Sequence, residues 1–133
     1  MRGDTFHNFL ADEIKAAVSA PVTCVYTEYR VRRCGVVADF DLFLTAGHFV
    51  LGIEIETTIR HAFDNIRKAD AVDVPLWVVV PTRRLKNRIE RRLKNAEITP
   101  AGQPIKILLL DQVKPALTNC LSKFIQANMP CEK

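Results

Sequence analysis

Four acidic residues on two neighbouring stretches have the types and spacing of a metal site. Asp39 and Asp41 precede a short turn, and Glu54 and Glu56 follow it. Residues two apart on a β-strand face the same way, so each pair shares one face of its strand. A turn centred between residues 46 and 47 would place Asp39 opposite Glu54. The same register would place Asp41 opposite Gly52. Three or four carboxylates then crowd one patch of a two-stranded ribbon.

This crowding has two interpretations that spacing alone leaves open. Like charges about 5 Å apart repel each other, and one pKa rises in response. A divalent cation removes the repulsion, and hard oxygen ligands suit Mg²⁺ or Mn²⁺. Such an ion generates hydroxide from bound water and stabilises the charge that develops on a phosphate. Alternatively, the acids face solvent and pair with the nearby Arg30, Arg32 or Arg33.

Periodicity predicts the elements that would position these acids. Alternating patterns and near-continuous apolar runs predict five strands: residues 22–29, 32–44, 49–57, 74–81 and 105–110. Apolar residues at helical spacing predict four helices: residues 4–20, residues 58–71, the basic stretch capped by Thr82, and residues 115–128. Within the second strand, alternation places Asp39, Asp41 and Phe43 on one face and Phe40, Leu42 and Leu44 on the other.

The predicted order is αβββαβαβα, a meander of strands followed by alternating strand and helix. Such an order predicts an α/β fold with a mixed sheet and helices on both faces. The sequence shows no internal repeat or linker, so we expect a single domain over residues 1–128 and a frayed tail over residues 129–133.

The acids and the element order together resemble the PD-(D/E)xK nuclease superfamily, which includes restriction endonucleases and Holliday junction resolvases. In that family an Asp near the end of one strand is followed by a hairpin turn and an acid-x-Lys on the next strand. The resemblance implies a restriction endonuclease-like fold with Asp41 and Glu54 as metal ligands and Asp39 as a further ligand. The family often carries an acid on its first helix, and Glu13 is the nearest match here.

Two positions depart from the family pattern. Phe40 replaces the proline before the acid, and Glu56 stands where the motif has lysine. Glu56 would act as a general base or as a further metal ligand. Some relatives carry the lysine on the following helix, which would assign that catalytic role to Lys68. Periodicity instead favours Arg60 and Arg67, which share one flank of that helix and can hold a phosphate through two hydrogen bonds.

A basic stretch follows the fourth strand. Between Arg83 and Lys94 the chain carries seven basic residues and one acid, Glu90. A basic stripe is the electrostatic footprint of a polyanion partner such as DNA, although a charged stretch is also typical of a solvated helix face. The candidates for nucleic-acid contact are Arg60, Arg67, Arg83, Arg84, Lys86, Arg88 and Arg91.

Composition excludes several classes of protein. The chain has 133 residues, of which 48% are hydrophobic and 26% charged, and a net charge of +4, values of an ordinary globular protein. It has no apolar run long enough for a membrane helix and no signal-peptide pattern, so we expect a cytoplasmic protein. The four cysteines lack the spacing of a zinc site, and there is no phosphate-binding glycine loop.

These patterns predict a metal-dependent endonuclease that uses Mg²⁺ or Mn²⁺ to hydrolyse DNA. The alternative is a catalytically inactive nuclease-fold module that binds DNA or protein, for instance as a subunit of a larger DNA-processing complex. The glutamate in the lysine position favours the alternative. An unpaired edge strand would also allow a homodimer.

Overall fold

The computed structural model describes residues 8–9, 12–13, 16, 23–95 and 105–128. Within these ranges five strands form one mixed sheet in the order β1 to β5. The strands are β1 (Thr23–Arg33), β2 (Val36–Ala46), β3 (Phe49–Ile55), β4 (Leu76–Val80) and β5 (Ile105–Leu109). Three helices are described from end to end: α1 (Ile59–Ala71), α2 (Arg83–Asn95) and α3 (Leu110–Asn128). The prediction of an α/β fold with a mixed sheet is confirmed.

The sheet combines an antiparallel meander with parallel crossovers. β1, β2 and β3 pair antiparallel, whereas β3, β4 and β5 pair parallel. The two crossovers advance in the same direction across the sheet, and right-handed crossovers of this kind place their helices on one face. Accordingly, α1 and α2 pack on one face of the sheet through Ile66 and Ile89. α3 packs on the other face through Val113 and Leu117.

The two hairpin turns correct the predicted strand boundaries. β1 and β2 meet at a two-residue turn, Cys34–Gly35, whose residues have φ of 51° and 77°. Tight hairpins of this type need left-handed backbone at both central residues, so the strands continue to residue 33 and resume at residue 36. β2 and β3 meet at Gly47–His48, with Ala46 paired to Phe49. This turn lies one residue later than the register that placed Asp39 opposite Glu54, and that register is wrong.

Strict alternation on β2 is also wrong between Phe40 and Phe43. Their ring centroids lie 5.6 Å apart and both rings belong to the core beneath α1 and α2, although residues three apart on a regular strand face opposite ways. On β1, Tyr26 and Tyr29 likewise bring their rings within 5.2 Å of each other.

The cause lies where Glu28 of β1 is opposite Asp41 of β2. The register pairs Thr27 with Leu42 and Tyr29 with Phe40, but Glu28 and Asp41 between them are not paired. Glu28 has a left-handed backbone, with φ of 51°. Both strands therefore shift their side-chain alternation by one residue at Glu28 and Asp41.

Side chains define the starts of the three helices. Thr58 accepts the backbone hydrogen of His61 at 3.3 Å and caps α1. Thr82 accepts that of Leu85 at 3.2 Å, which confirms the predicted cap of α2.

α3 begins at Leu110 rather than at the predicted residue 115, and Pro115 lies inside it. The Gln112 side chain accepts the backbone hydrogen of Leu109 at 2.9 Å, an interaction typical of a helix start. The predicted first helix is described only at residues 8, 9, 12, 13 and 16, which are helical. The predicted tail at residues 129–133 lies outside the described residues.

Candidate functional site

Glu54 is the one buried acidic residue in the part of the chain that the structure describes, with 4% of its surface exposed. On β3, Glu54 lies between Ile53 and Ile55, which both face α3. Because side chains alternate along a strand, Glu54 faces the layer of α1 and α2. Burial, and after it a hydrogen bond with the Asp41 side chain, raises the pKa of Glu54 to about 10. The Glu54 carboxyl therefore keeps its proton at neutral pH.

Asp41 completes a pair of acids with Glu54. Its Oδ2 accepts the backbone hydrogen of Ile55 at 2.8 Å, while its side chain is hydrogen-bonded to the Glu54 carboxyl. The backbone ladder between β2 and β3 ends at the pair Leu42–Ile53. Beyond that pair, the Asp41 side chain replaces a strand carbonyl as acceptor, which holds the two acids at the carboxyl end of β3.

Glu56 lies beside this pair, but its carboxylate is held by α1. Its Oε1 accepts a short hydrogen bond from the Asn65 side-chain amide, and its Oε2 lies 4.0 Å from Nδ1 of His61. The Glu56 side chain is 12% exposed, and its charge contributes to the raised pKa of Glu54. Asn65 was not among the residues singled out from sequence. Its spacing of four from His61 was the available signal, because residues four apart lie on one helix face.

Asp39 lies apart from Asp41 and Glu54. Its Oδ1 lies 2.7 Å from Nε of Arg30, and its side chain is 61% exposed. The hydrogen bond from Arg30, with the charges of Arg30, Lys68 and Arg32, lowers the pKa of Asp39 below its usual range. The alternative interpretation of an acid paired with arginine at the surface thus describes Asp39, whereas no basic side chain in the described ranges forms an ion pair with Glu54.

An open depression adjoins Asp41. It has a volume of about 570 Å³ and lies between β1 and β2. Its lining residues are Glu28, Arg30, Asp39, Phe40 and Asp41. The depression gives solvent a route to the strand level at which Asp41 meets Glu54.

The three basic candidates on α1 occupy different surroundings. Arg60 is exposed in the first turn of α1, on the sheet edge where β3 ends. Arg67 is exposed and lies 4.0 Å from Asp64 on its own helix. Lys68 is exposed, and its charge acts on Asp39 of β2. Lys68 therefore lies towards the strands that carry the acids, whereas Arg67 forms a local pair.

The basic candidates on α2 are mostly exposed. Arg83 and Arg84 begin this helix at the sheet edge where β4 ends, next to the end of β3. Arg84, Arg88 and Arg91 follow at spacings of four and three, which places them on one helix face. None of these arginines forms an ion pair among the described residues. They are free to contact an anionic partner.

Two other basic residues of α2 have internal partners. Nζ of Lys86 lies 3.4 Å from Glu90, and the Lys86 side chain is mostly buried. The guanidinium of Arg92 lies 5.5 Å from the ring centre of Phe63 on α1. Lys86 thus pairs within its own helix, whereas Arg92 connects α2 to α1.

Glu13 lies in a second cavity, of about 600 Å³, at the ends of β4 and β5. Phe9, Pro81, Leu110 and Lys114 also line this cavity, and none of the four strand acids does. Glu13 is therefore not brought to the pair formed by Asp41 and Glu54.

As arranged, the acids do not form a ready-made metal centre. Among the described residues, no three His, Cys, Asp or Glu side chains are grouped so that they could hold a metal ion. The arrangement consists of Asp41 and Glu54 in contact, with Glu56 beside them and bound to Asn65. Chemically, it is a buried, protonated Glu54 in contact with the Asp41 side chain, at a sheet edge with exposed cations.

The sequence matches no protein-family model and no curated protein. In the described ranges, no helix is long and apolar enough to cross a membrane.

Proposed function

We propose that this chain is a metal-dependent, endonuclease-like protein of the PD-(D/E)xK type that hydrolyses DNA phosphodiester bonds. The observation that carries the proposal is the burial of Glu54 against Asp41. Two acids in contact, one of them kept neutral only by a raised pKa, are costly for folding, and a function at the site would explain why they are kept. Perturbed acids of this kind cluster at functional sites.

The element order supports the restriction endonuclease-like fold in this proposal. The described residues run through a three-strand meander, a helix, a strand, a helix and a strand. This is the order expected for the family core after its leading helix. Asp41 on β2 and Glu54 near the end of β3 are the two acids that we assign to the family motif.

The donor set suits a hard divalent cation. Asp41 and Glu54 would supply carboxylate oxygens to Mg²⁺ or Mn²⁺, and water would complete the coordination shell. The ion would take the place of the proton that Glu54 now holds. When bound, it would supply an activated water and charge stabilisation at the phosphate.

Glu56 and Lys68 share the role that the motif gives to one lysine. Glu56 has its carboxylate oriented by Asn65, so it is positioned as an acceptor for a proton from water. Lys68 lies towards β2, where its charge is available to a phosphate. Arg60, Arg83 and Arg84 lie on the same sheet edge and would position the DNA backbone through contacts that are independent of sequence.

Cleavage assays with isosteric variants test this function. Supercoiled and branched DNA are incubated with Mg²⁺ or Mn²⁺ and with wild type, Asp41→Asn or Glu54→Gln. We expect cleavage by wild type and none by either variant, because each one removes a carboxylate ligand. Asp39→Asn is the matched control on the same strand, and it should keep most of the activity because Asp39 pairs with Arg30. Cleavage that survives both variants would exclude this site.

A second candidate function is a catalytically inactive module of the same fold that binds DNA or protein. It is favoured by Glu56, which stands in the lysine position with its carboxylate bound to Asn65. Calorimetric titration with Mg²⁺ and Mn²⁺ separates the two candidates. Heat of binding that disappears in Asp41→Asn supports the enzyme. Absence of binding at millimolar metal, together with DNA binding by the wild type, supports the inactive module.

A further inference from the structure

Two tyrosines form an exposed aromatic surface on the edge strand β1. Tyr26 is 42% exposed and Tyr29 is 37% exposed, and their ring centroids lie 5.2 Å apart. They lie close together because the side-chain alternation shifts at Glu28. Without that shift, residues three apart would face opposite sides of the sheet.

The core supports this surface from below. The Tyr29 ring stacks on Phe43 with centroids 4.5 Å apart and an interplanar angle of 20°. Phe43 in turn packs against Phe40, and both phenylalanines are buried. The Tyr29 ring is thus held in a fixed orientation. Little side-chain entropy would therefore be lost when a planar ligand binds to it.

The tyrosines lie at the strand level of the candidate metal site. Tyr29 pairs with Phe40 on β2, next to Asp41, which contacts Glu54 on β3. Two interstrand spacings separate β1 from β3, which is about 10 Å. A chain bound over the tyrosines would reach Asp41 and Glu54 without a change in the fold.

An exposed cation, Lys68 of α1, lies on the same side of the sheet as the aromatic surface. Its charge acts on Asp39, whose partner Arg30 is the next residue after Tyr29. Lys68 forms no ion pair in the described part of the chain. Planar rings next to free positive charge favour an anionic strand with planar bases. A second copy of this chain would instead bring like charges together.

We propose that Tyr26 and Tyr29 stack on unpaired bases of a nucleic-acid strand whose phosphates contact Lys68. This inference rests on the proposed function and gives it a substrate class: DNA that is single-stranded or frayed near the cleavage point. Duplex bases are already stacked on one another, so a fully paired substrate does not use the tyrosines.

Binding measurements without metal test the stacking directly. Fluorescence anisotropy in EDTA compares a labelled oligothymidylate, an abasic strand of equal length and a duplex. In the variant with Tyr26→Leu and Tyr29→Leu, we expect oligothymidylate binding to weaken by roughly tenfold or more, since stacking on an aromatic ring contributes about 1–3 kcal/mol per base. Binding of the abasic strand and the duplex should stay nearly unchanged.

The matched control carries Tyr26→Phe and Tyr29→Phe, which keep the rings and should keep wild-type affinity. Leucine still covers Phe43, and a thermal melt of each variant verifies folding. An oligouridylate arm distinguishes RNA from DNA as the preferred strand. The stacking proposal is refuted if wild type binds abasic and thymidylate strands equally, or if the leucine variant loses affinity for all ligands alike.

Two further outcomes separate the possible failures. If wild type sediments as a dimer and the leucine variant as a monomer, the tyrosines form a contact between copies. That result would overturn the stacking proposal. Because EDTA removes the metal, the binding result does not depend on cleavage. If strand binding needs the tyrosines but neither Mg²⁺ nor Mn²⁺ gives cleavage, the nuclease proposal fails and the stacking proposal stands.

Discussion

At the scale of single residues, the protonation of Glu54 connects folding with the proposed chemistry. Its carboxyl is buried, hydrogen-bonded to Asp41 and close to Glu56, so the proton stays bound well above the usual pKa of a glutamate. Below pH 4.5 both the folded and unfolded states hold this proton. Between pH 4.5 and the folded-state pKa of about 10, only the folded state does. The free energy of unfolding that Glu54 contributes therefore falls as pH rises through this window.

Glu54→Gln should remove this pH dependence, because glutamine does not titrate and its amide can still donate to Asp41. Relative to wild type, the variant should become more stable with rising pH by up to about 1.4 kcal/mol per pH unit. Urea denaturation at mildly acidic and mildly alkaline pH measures the effect. Glu90→Gln, at an exposed position on α2, is the control and should run parallel to wild type. A parallel curve for Glu54→Gln would contradict the raised pKa.

At the scale of elements, the β2–β3 pair depends on close packing at one glycine. A Cβ added to Gly52 would lie 2.4 Å from the Phe40 ring, nearer than side chains pack. Gly52 pairs with Phe43 in the sheet and precedes Glu54 by two residues. The Phe40 ring thus covers the backbone of β3 at Gly52.

Gly52→Ala should destabilise the fold by about 1–3 kcal/mol, the usual cost of forcing an extra methyl into a packed core. In a Phe40→Leu background the same change should cost much less, because the shorter side chain leaves room for the methyl. A double-mutant cycle by denaturant unfolding measures this coupling. Equal costs in the two backgrounds would show that the Phe40 ring is not what limits the space at Gly52.

At the scale of the whole molecule, the distribution of charge distinguishes the two sides of the sheet. The α1 and α2 side carries the exposed arginines that begin both helices and continue along α2. On the other side, Lys106 lies over the Trp77 ring, with 5.5 Å between Nζ and the ring centre. A DNA duplex is therefore expected to contact the molecule on the α2 side.

Neutralising two cations on each side tests this orientation. Arg88→Gln with Arg91→Gln should weaken duplex binding and reduce its logarithmic salt slope by about 2 at most, near 0.9 for each lost phosphate contact. Lys106→Gln with Lys114→Gln removes the same charge from the α3 side and should change the slope little. Anisotropy titrations over a range of salt concentrations measure both slopes. Equal slopes for the two variants would place the DNA elsewhere.

Sequence patterns predict the α/β class, the five strands, the cap Thr82 and the shared face of Glu54 and Glu56. These features follow from local pattern, because alternation and helical spacing depend on near neighbours. Sequence patterns did not predict the full bounds of β1 and of α3. β1 continues up to the left-handed turn residue Cys34. Pro115 lies inside α3, whereas proline normally marks the start of a helix.

Which acids meet depends on the three-dimensional fold. The register depended on which two residues occupy the hairpin turn, and a shift of one residue changes every cross-strand neighbour. The shift of alternation at Glu28 and Asp41, the pairing of Asp39 with Arg30 and the hold of Asn65 on Glu56 join residues nine or more positions apart. The raised pKa of Glu54 has the same origin, because burial is produced by strands and helices distant in sequence.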